Sequence, residues 1–162
     1  MRSVSASVLV GADPATVLAE LVDIDGMRRW WGVDRGLIDA RKGGVWALAW
    51  DVSRNGFRYA MSGTIARYDL GRELRIAQLL YFNAERAILG PMELAFVARP
   101  DSGGALLTVR QDGYREGGDW DWYHDEVSEA WPVTLSLLQE YVQQRRAAAA
   151  SFILAHRNKP EG

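Results

Sequence analysis

Apolar residues recur at every second position through most of this 162-residue chain, and at every third or fourth beyond Gly117-Gly118. Period two belongs to strands and period 3.6 to helices, and a segment patterned for one does not settle as the other. The first alternating run, residues 2–10, puts Val4, Ala6, Val8 and Val10 on one face. Asp13-Pro14 reads as an N-cap followed by the first helical residue. Val17, Leu18, Leu21 and Val22 then fall at helical spacing. A second short helix is predicted over 25–31, ending in Trp30-Trp31-Gly32.

Alternation returns after Gly36. Residues 43–52 place Trp46, Leu48, Trp50 and Val52 together. Asn55-Gly56 between two alternating runs is a hairpin signal, and the next strand, about 57–68, gathers Phe57, Tyr59, Met61, Gly63 and Ile65. Two more strands are predicted over 73–82 and 91–99, and the last over 105–114 after the turn Asp101-Ser102-Gly103-Gly104. Trp131, Leu135, Leu138 and Val142 form the helical stripe. Pro132 suits a first turn, where its missing N–H costs nothing. The main helix is therefore expected to start near Trp131, after a short helical turn over 125–130, and to run to about Ala155. The order implies an α+β fold: a curved antiparallel sheet of about six or seven strands, two short helices after the first strand, and a long C-terminal helix across the sheet. A helix of about 25 residues, at roughly 1.5 Å each, spans about 37 Å. Wrapped sheets of this kind leave a space against the helix that suits a small apolar ligand.

One domain is expected over residues 1–157, with residues 158–162 as a fraying tail. With no cysteine, disulfide and thiolate chemistry are excluded. A net charge of -2 does not fit a nucleic-acid partner. The N-terminus lacks the pattern of a secretory signal, and no apolar run approaches a membrane span, so a cytoplasmic location without membrane insertion is expected. Seven tryptophans in so short a chain point either to an aromatic core or to an aromatic cavity.

The concave face and the helix stripe supply the candidate ligand-binding residues: Trp31, Trp46, Leu48, Trp50, Tyr59, Met61, Ile76, Gln78, Phe96, Gln111, Trp131 and Leu135. Either they wall a cavity or they fill the core. Gln78 and Gln111 are the informative members, because buried amides need partners, which a ligand, a water or neighbouring backbone could supply. Trp120 and Trp122, in the segment expected to lead into the long helix, form a lid or simply pack on it. His124 lies in the same segment and is a candidate acid–base group beside Asp125 and Glu126. His156 falls near the tail and is expected to be inert. His124, Asp125 and Glu126 are adjacent and do not share a helix face as metal ligands do, so no metal is expected, and no cofactor is implied.

The order of elements and four local patterns resemble the START-like (SRPBCC) superfamily, and within it the branch named after the activator of the heat-shock-protein-90 ATPase. The patterns are Trp30-Trp31 after an early helix, Gly43-Gly44 with Trp46 two residues on, Gly63 and Ile65 followed by Leu74, and Gly103-Gly104 leading to Gly113-Tyr114 before a helix with Trp131, Leu135 and Leu138. The resemblance runs over roughly residues 4–145 and implies the helix-grip (START/Bet v-like) fold. Two positions depart from the family pattern. Ala130 stands where a Gly often precedes the helix Trp, and Gln111 stands where a His is common. Gln cannot titrate, which weakens an acid–base role there. The superfamily includes lipid and polyketide binders, aromatase/cyclases and stress proteins.

The expected function is non-catalytic binding of a hydrophobic or aromatic, lipid- or polyketide-like molecule by a monomer or homodimer. One alternative is a cyclase- or hydrolase-type enzyme in which Tyr59 or His124 adjusts protonation and Gln111 donates a hydrogen bond. The other is a protein-interaction module with a filled core.

Overall fold

The computed structural model describes residues 2–157. The tail expected over 158–162 lies outside the described residues, as does the side chain of His156. The chain forms β1 (Arg2–Val10), α1 (Pro14–Ala19), α2 (Ile24–Trp30), β2 (Arg35–Ile38), β3 (Val45–Trp50), β4 (Tyr59–Asp69), β5 (Glu73–Asn83), β6 (Leu89–Asp101), β7 (Gly104–Tyr114) and α3 (Asp119–Arg157). The strands make one antiparallel sheet in the order β1-β7-β6-β5-β4-β3-β2. Strands β3 to β7 form the expected meander, β1 pairs beside β7, and β2, a strand that sequence reasoning did not place, extends the far edge beside β3.

Local chemistry accounts for the short helices. The Asp13 side chain accepts from the Thr16 backbone N–H at 2.9 Å, and those contacts hold its carboxyl below the usual range. Pro14 occupies the first turn, as predicted. In α2, Asp25 sits in the first turn and Arg28 and Arg29 in the last, the charge order that complements the helix dipole.

Three expectations are corrected. First, β3 ends at Trp50 and β4 begins at Tyr59, opposite it. Asp51 takes a left-handed backbone (φ 51) that turns the chain out of the sheet, and the Val52 N–H is held by the Asp34 carboxylate at 3.0 Å. Val52 and Phe57 therefore leave the inner face and are 39% and 41% exposed. The turn at Asn55-Gly56 does form, with Ser53 and Gly56 exchanging backbone hydrogen bonds at 2.8 and 3.0 Å.

Second, β5 does not alternate through its length. Its pairing with β6 shifts between Ile76 and Leu79, and Gln78 sits in the shift at φ 53. A bulge of this kind inserts one residue and exchanges the two faces beyond it. Leu74, Ile76, Leu79 and Tyr81 are buried, and Gln78 is exposed. Gln78 does not lie on the concave face.

Third, α3 is one helix of 39 residues that starts at Asp119, twelve residues before Trp131. Pro132 lies inside it. The residue sits on the solvent side, and so does Ser128, whose carbonyl loses its N–H partner, so water can take that acceptor. At roughly 1.5 Å per residue the helix is about 58 Å long. Tyr123, Val127, Trp131, Leu135, Leu138 and Val142 form its buried stripe, and residues 143–155 are exposed. Arg145 reaches back to Glu20 at the end of α1, pairing with its carboxylate.

Candidate functional site

The gap between sheet and helix is packed at one end and open at the other. At the packed end Trp46 is 0% exposed, donates its indole N–H to the Leu21 carbonyl at 3.0 Å, and meets Phe96 at 6.3 Å between ring centres. Leu48, Ile76, Phe96 and Leu135 are buried there with it. A ring so completely enclosed is worth roughly 3–5 kcal/mol to the core on truncation. These five residues, expected on a ligand wall, fill the core instead and do not line the cavity. Alternation places a side chain on the inner face, but not at a given depth along it.

At the other end lies a cavity of about 640 Å³. Seven aromatic rings line it: Trp31, Trp50, Tyr59, Tyr81, Trp122, Tyr123 and Trp131. Of the expected residues the fold brings together Trp31, Trp50, Tyr59, Met61, Gln111, Trp122 and Trp131. Trp131 stands between the two ends, edge-on to Phe96 at 5.7 Å on the core side and 5.7 Å from Trp31 on the cavity side. Trp31 also packs edge-on to Trp50 at 5.2 Å, and Trp50 stacks on Tyr59 at 5.1 Å. The Trp50 indole N–H donates to the Trp31 carbonyl at 3.3 Å, tying β3 to the end of α2.

Gln111 is 0% exposed and its amide is fully engaged. Its side-chain oxygen accepts from Trp131 Nε1 at 3.0 Å. Its Nε2 donates to the Tyr123 hydroxyl at 3.1 Å and lies 3.5 Å from Met92 Sδ. The partners are therefore side chains of β6 and α3, not a ligand, a water or nearby backbone. This conformation leaves no amide hydrogen to donate to a substrate, which removes the hydrogen-bonding role considered for Gln111.

The cavity phenols are held in their neutral form. Burial first, then the Asp51 charge, raises the Tyr59 hydroxyl above its ordinary pKa. Burial likewise raises Tyr81 and Tyr123. Tyr81 and Tyr123 pack at 4.2 Å, and Tyr81 OH accepts from Asn83 Nδ2 at 3.1 Å.

His124 does not line the cavity. Its ring packs edge-on to Tyr114 at 5.1 Å, and Nδ1 lies 3.8 Å from the Asp125 carboxylate. This placement removes it from any chemistry inside the cavity. Trp120 and Trp122 stand on the first turns of α3 rather than on a loop. Trp120 packs against Tyr114 at 6.3 Å, and Trp122 carries the Arg86 guanidinium 3.6 Å above its ring. Asp119 fixes this corner by accepting from Arg86 at 3.0 Å and from the Ala87 backbone N–H at 3.0 Å. Among the described residues no group of three or more acidic or histidine side chains gathers to hold a metal.

Sequence reasoning missed Arg58, Tyr81, Asn83, Tyr123, Glu126, Val127, Glu129, Ala130, Val133 and Thr134, all of which line the cavity. The helical ones had a signal, since Tyr123, Val127 and Trp131 already recur every four residues upstream of Pro132. Tyr81 had none, because its inward direction depends on the bulge at Gln78.

A model of the family described as "Activator of Hsp90 ATPase homolog 1-like protein" matches residues 12–143. No curated protein matches the chain. Among solved structures, protein MLL2253 from Mesorhizobium loti is similar at 14% identity and TM-score 0.70, over 88% of this chain and 98% of that one. Protein CV1439 from Chromobacterium violaceum is 20% identical, with TM-score 0.66 over 86% and 96%. A protein from Colwellia psychrerythraea, described as the Aha1 dimer, is 13% identical, with TM-score 0.65 over 88% and 96%. At these identities the structures show a shared fold.

Proposed function

The chain belongs to the activator of Hsp90 ATPase homologue 1-like family, within the SRPBCC superfamily, and from that premise we propose that it binds a flat, hydrophobic small molecule in the cavity between its sheet and C-terminal helix, without turning it over. The observation that carries this reading is the seven-ring wall around a cavity of about 640 Å³. That volume is in the range of small-molecule sites, and the rings are joined in the lining by the polar side chains of Arg58, Asn83, Gln111, Glu126, Glu129 and Thr134.

Support also comes from the polar atoms. The three residues considered for catalysis were Tyr59, His124 and Gln111. The Gln111 amide is occupied by Trp131 and Tyr123, and His124 packs outside the cavity. Tyr59 keeps a hydroxyl held protonated by burial, which makes it a hydrogen-bond donor rather than a base. The interaction-module reading required a filled core, and the open end of the gap argues against it.

The test is intrinsic tryptophan fluorescence titrated with flat aromatic and lipid-like compounds. Saturable quenching by one class, weakened about tenfold or more by Trp31→Ala and by Trp122→Ala, supports the reading. No response to any class overturns it. The Colwellia psychrerythraea protein is described as a dimer; for this chain the proposal covers a monomer or a homodimer, and analytical ultracentrifugation distinguishes the two.

A further inference from the structure

The charges around the cavity mouth are unequal. Glu126 and Glu129 are exposed, lie three residues apart on α3, and both line the cavity. Residues at this spacing are neighbours on one helix face. Neither carboxylate has an ion-pair partner among the described residues. The cation that lines the cavity, Arg58, lies 3.6 Å from Asp51, so a carboxylate already faces it. Arg86 covers Trp122 and is engaged by Asp119 at 3.0 Å.

The aromatic wall has the same preference. A ring face carries partial negative charge and attracts a cation, more strongly where water is excluded. Trp31, Trp50, Trp122 and Trp131 all contribute to the wall, although one face of Trp31 is covered by Trp30, one of Trp50 by Tyr59 and one of Trp122 by Arg86. At the buried end, Tyr123 is 3% exposed and its hydroxyl accepts from Gln111. Its own proton has no acceptor among the described residues. One neutral donor among rings does not offset the desolvation of an anion, but it suits a neutral oxygen acceptor. A charged group therefore belongs at the mouth, and its sign is positive there.

Resting on the reading of the cavity as a binding site, we infer that its ligand is an organic cation, with a flat apolar body against the tryptophans and a protonated amine or quaternary ammonium directed at Glu126 and Glu129. Anionic ligands, including free fatty acids and acidic polyketides, are disfavoured by the carboxylates and by the ring faces.

The experiment is isothermal titration calorimetry of the full chain, at neutral pH and low salt, with three compounds on one skeleton: 2-naphthylmethylamine, 2-naphthylmethanol and 2-naphthoate. The amine is expected to bind about tenfold or more tighter than the alcohol, a difference of about 1.4 kcal/mol, and the carboxylate weakest. Glu126→Gln with Glu129→Gln is expected to reduce the amine-to-alcohol ratio to about threefold or less. Glu140→Gln, on α3 away from the cavity, keeps the full ratio. Both mouth residues are exposed, and an unchanged melting temperature confirms that the double variant folds. A carboxylate that binds as tightly as the amine overturns the inference and leaves the cavity reading standing. So does an amine preference that survives the double variant. No binding by any of the three overturns the cavity reading itself.

Discussion

Trp131 Nε1 donates to the Gln111 side-chain oxygen at 3.0 Å, joining the first third of the long helix to the last strand at the boundary between packed core and open cavity. This bond fixes the ring that divides the two. The Gln111 Nε2 donates on to the Tyr123 hydroxyl two helical turns earlier, so one amide sets two aromatic side chains. Buried polar pairs specify geometry in this way because the alternative, an unpaired donor or acceptor, is costly.

Gln111→Leu is expected to destabilise the protein by about 1–3 kcal/mol, since it strands the Trp131 N–H and removes a partner from Tyr123. Trp131→Phe keeps a ring but strands the Gln111 oxygen, at about 1–2 kcal/mol. The double variant should cost less than the sum, because the two lose the same bond. Urea unfolding followed by far-ultraviolet circular dichroism measures all three.

The buried and half-buried phenols set an alkaline limit. Tyr59, Tyr68, Tyr81, Tyr114 and Tyr123 are all raised above the ordinary phenol value, with burial the first cause in each. The unfolded chain releases these protons near the ordinary value of about 10 while the folded chain still holds them. Stability therefore falls as pH rises above that point and continues to fall until the folded groups titrate. A spectrophotometric titration should show most of the tyrosinate absorbance appearing together with loss of circular dichroism. Phenol ionisation well before unfolding would contradict the burial of these groups.

Glu20 is 5% exposed and pairs with Arg145 across the α1–α3 contact. Desolvation outweighs the Arg145 charge and raises its pKa. The folded state then keeps the proton at pH values where the unfolded chain has lost it. Stability declines as pH climbs from the model-peptide value through the raised folded value, and is level above that. Glu20→Gln is expected to match or exceed the parent at neutral pH, by up to about 1 kcal/mol, and to flatten this slope. Arg145→Ala leaves the carboxylate unpaired and should cost about 1–3 kcal/mol. Thermal unfolding across the acid range checks both.

Gln78 sits at φ 53 in the β5 bulge, exposed to solvent. Gln78→Gly removes left-handed strain and should leave stability unchanged or raise it by up to about 1 kcal/mol. Gln78→Val should lose about 1–2 kcal/mol, because a β-branched side chain tolerates this backbone poorly. Neither substitution is expected to alter binding of an aromatic probe, since the residue does not line the cavity. Calorimetric melting and fluorescence titration measure the two effects.

The pattern of residues reached far into the architecture. The strand over residues 2–10, the Asp13 cap and the Asn55-Gly56 turn need only near neighbours, and each formed where expected. The inner face of β3 was equally legible, with Trp46, Leu48 and Trp50 all buried. Pro132 misled the start of α3 because its position on the solvent side, where a helix tolerates it, depends on how the helix is rotated against the sheet.

The sequence by itself determined most of the element order, the antiparallel meander and the inward turn of Trp46, Trp50, Tyr59 and Trp131, because period, caps and turn residues act over a few positions. Only the tertiary structure decided that Trp46 and Phe96 pack solid while Trp31, Trp50 and Trp131 face open space. It also decided that Gln78 leaves the inner face while Tyr81 enters it. Depth along a concave face depends on how closely sheet and helix approach at each point. A bulge reverses every side chain beyond it through a shift in pairing with a strand distant in sequence. Neither quantity is carried by the local pattern of residues.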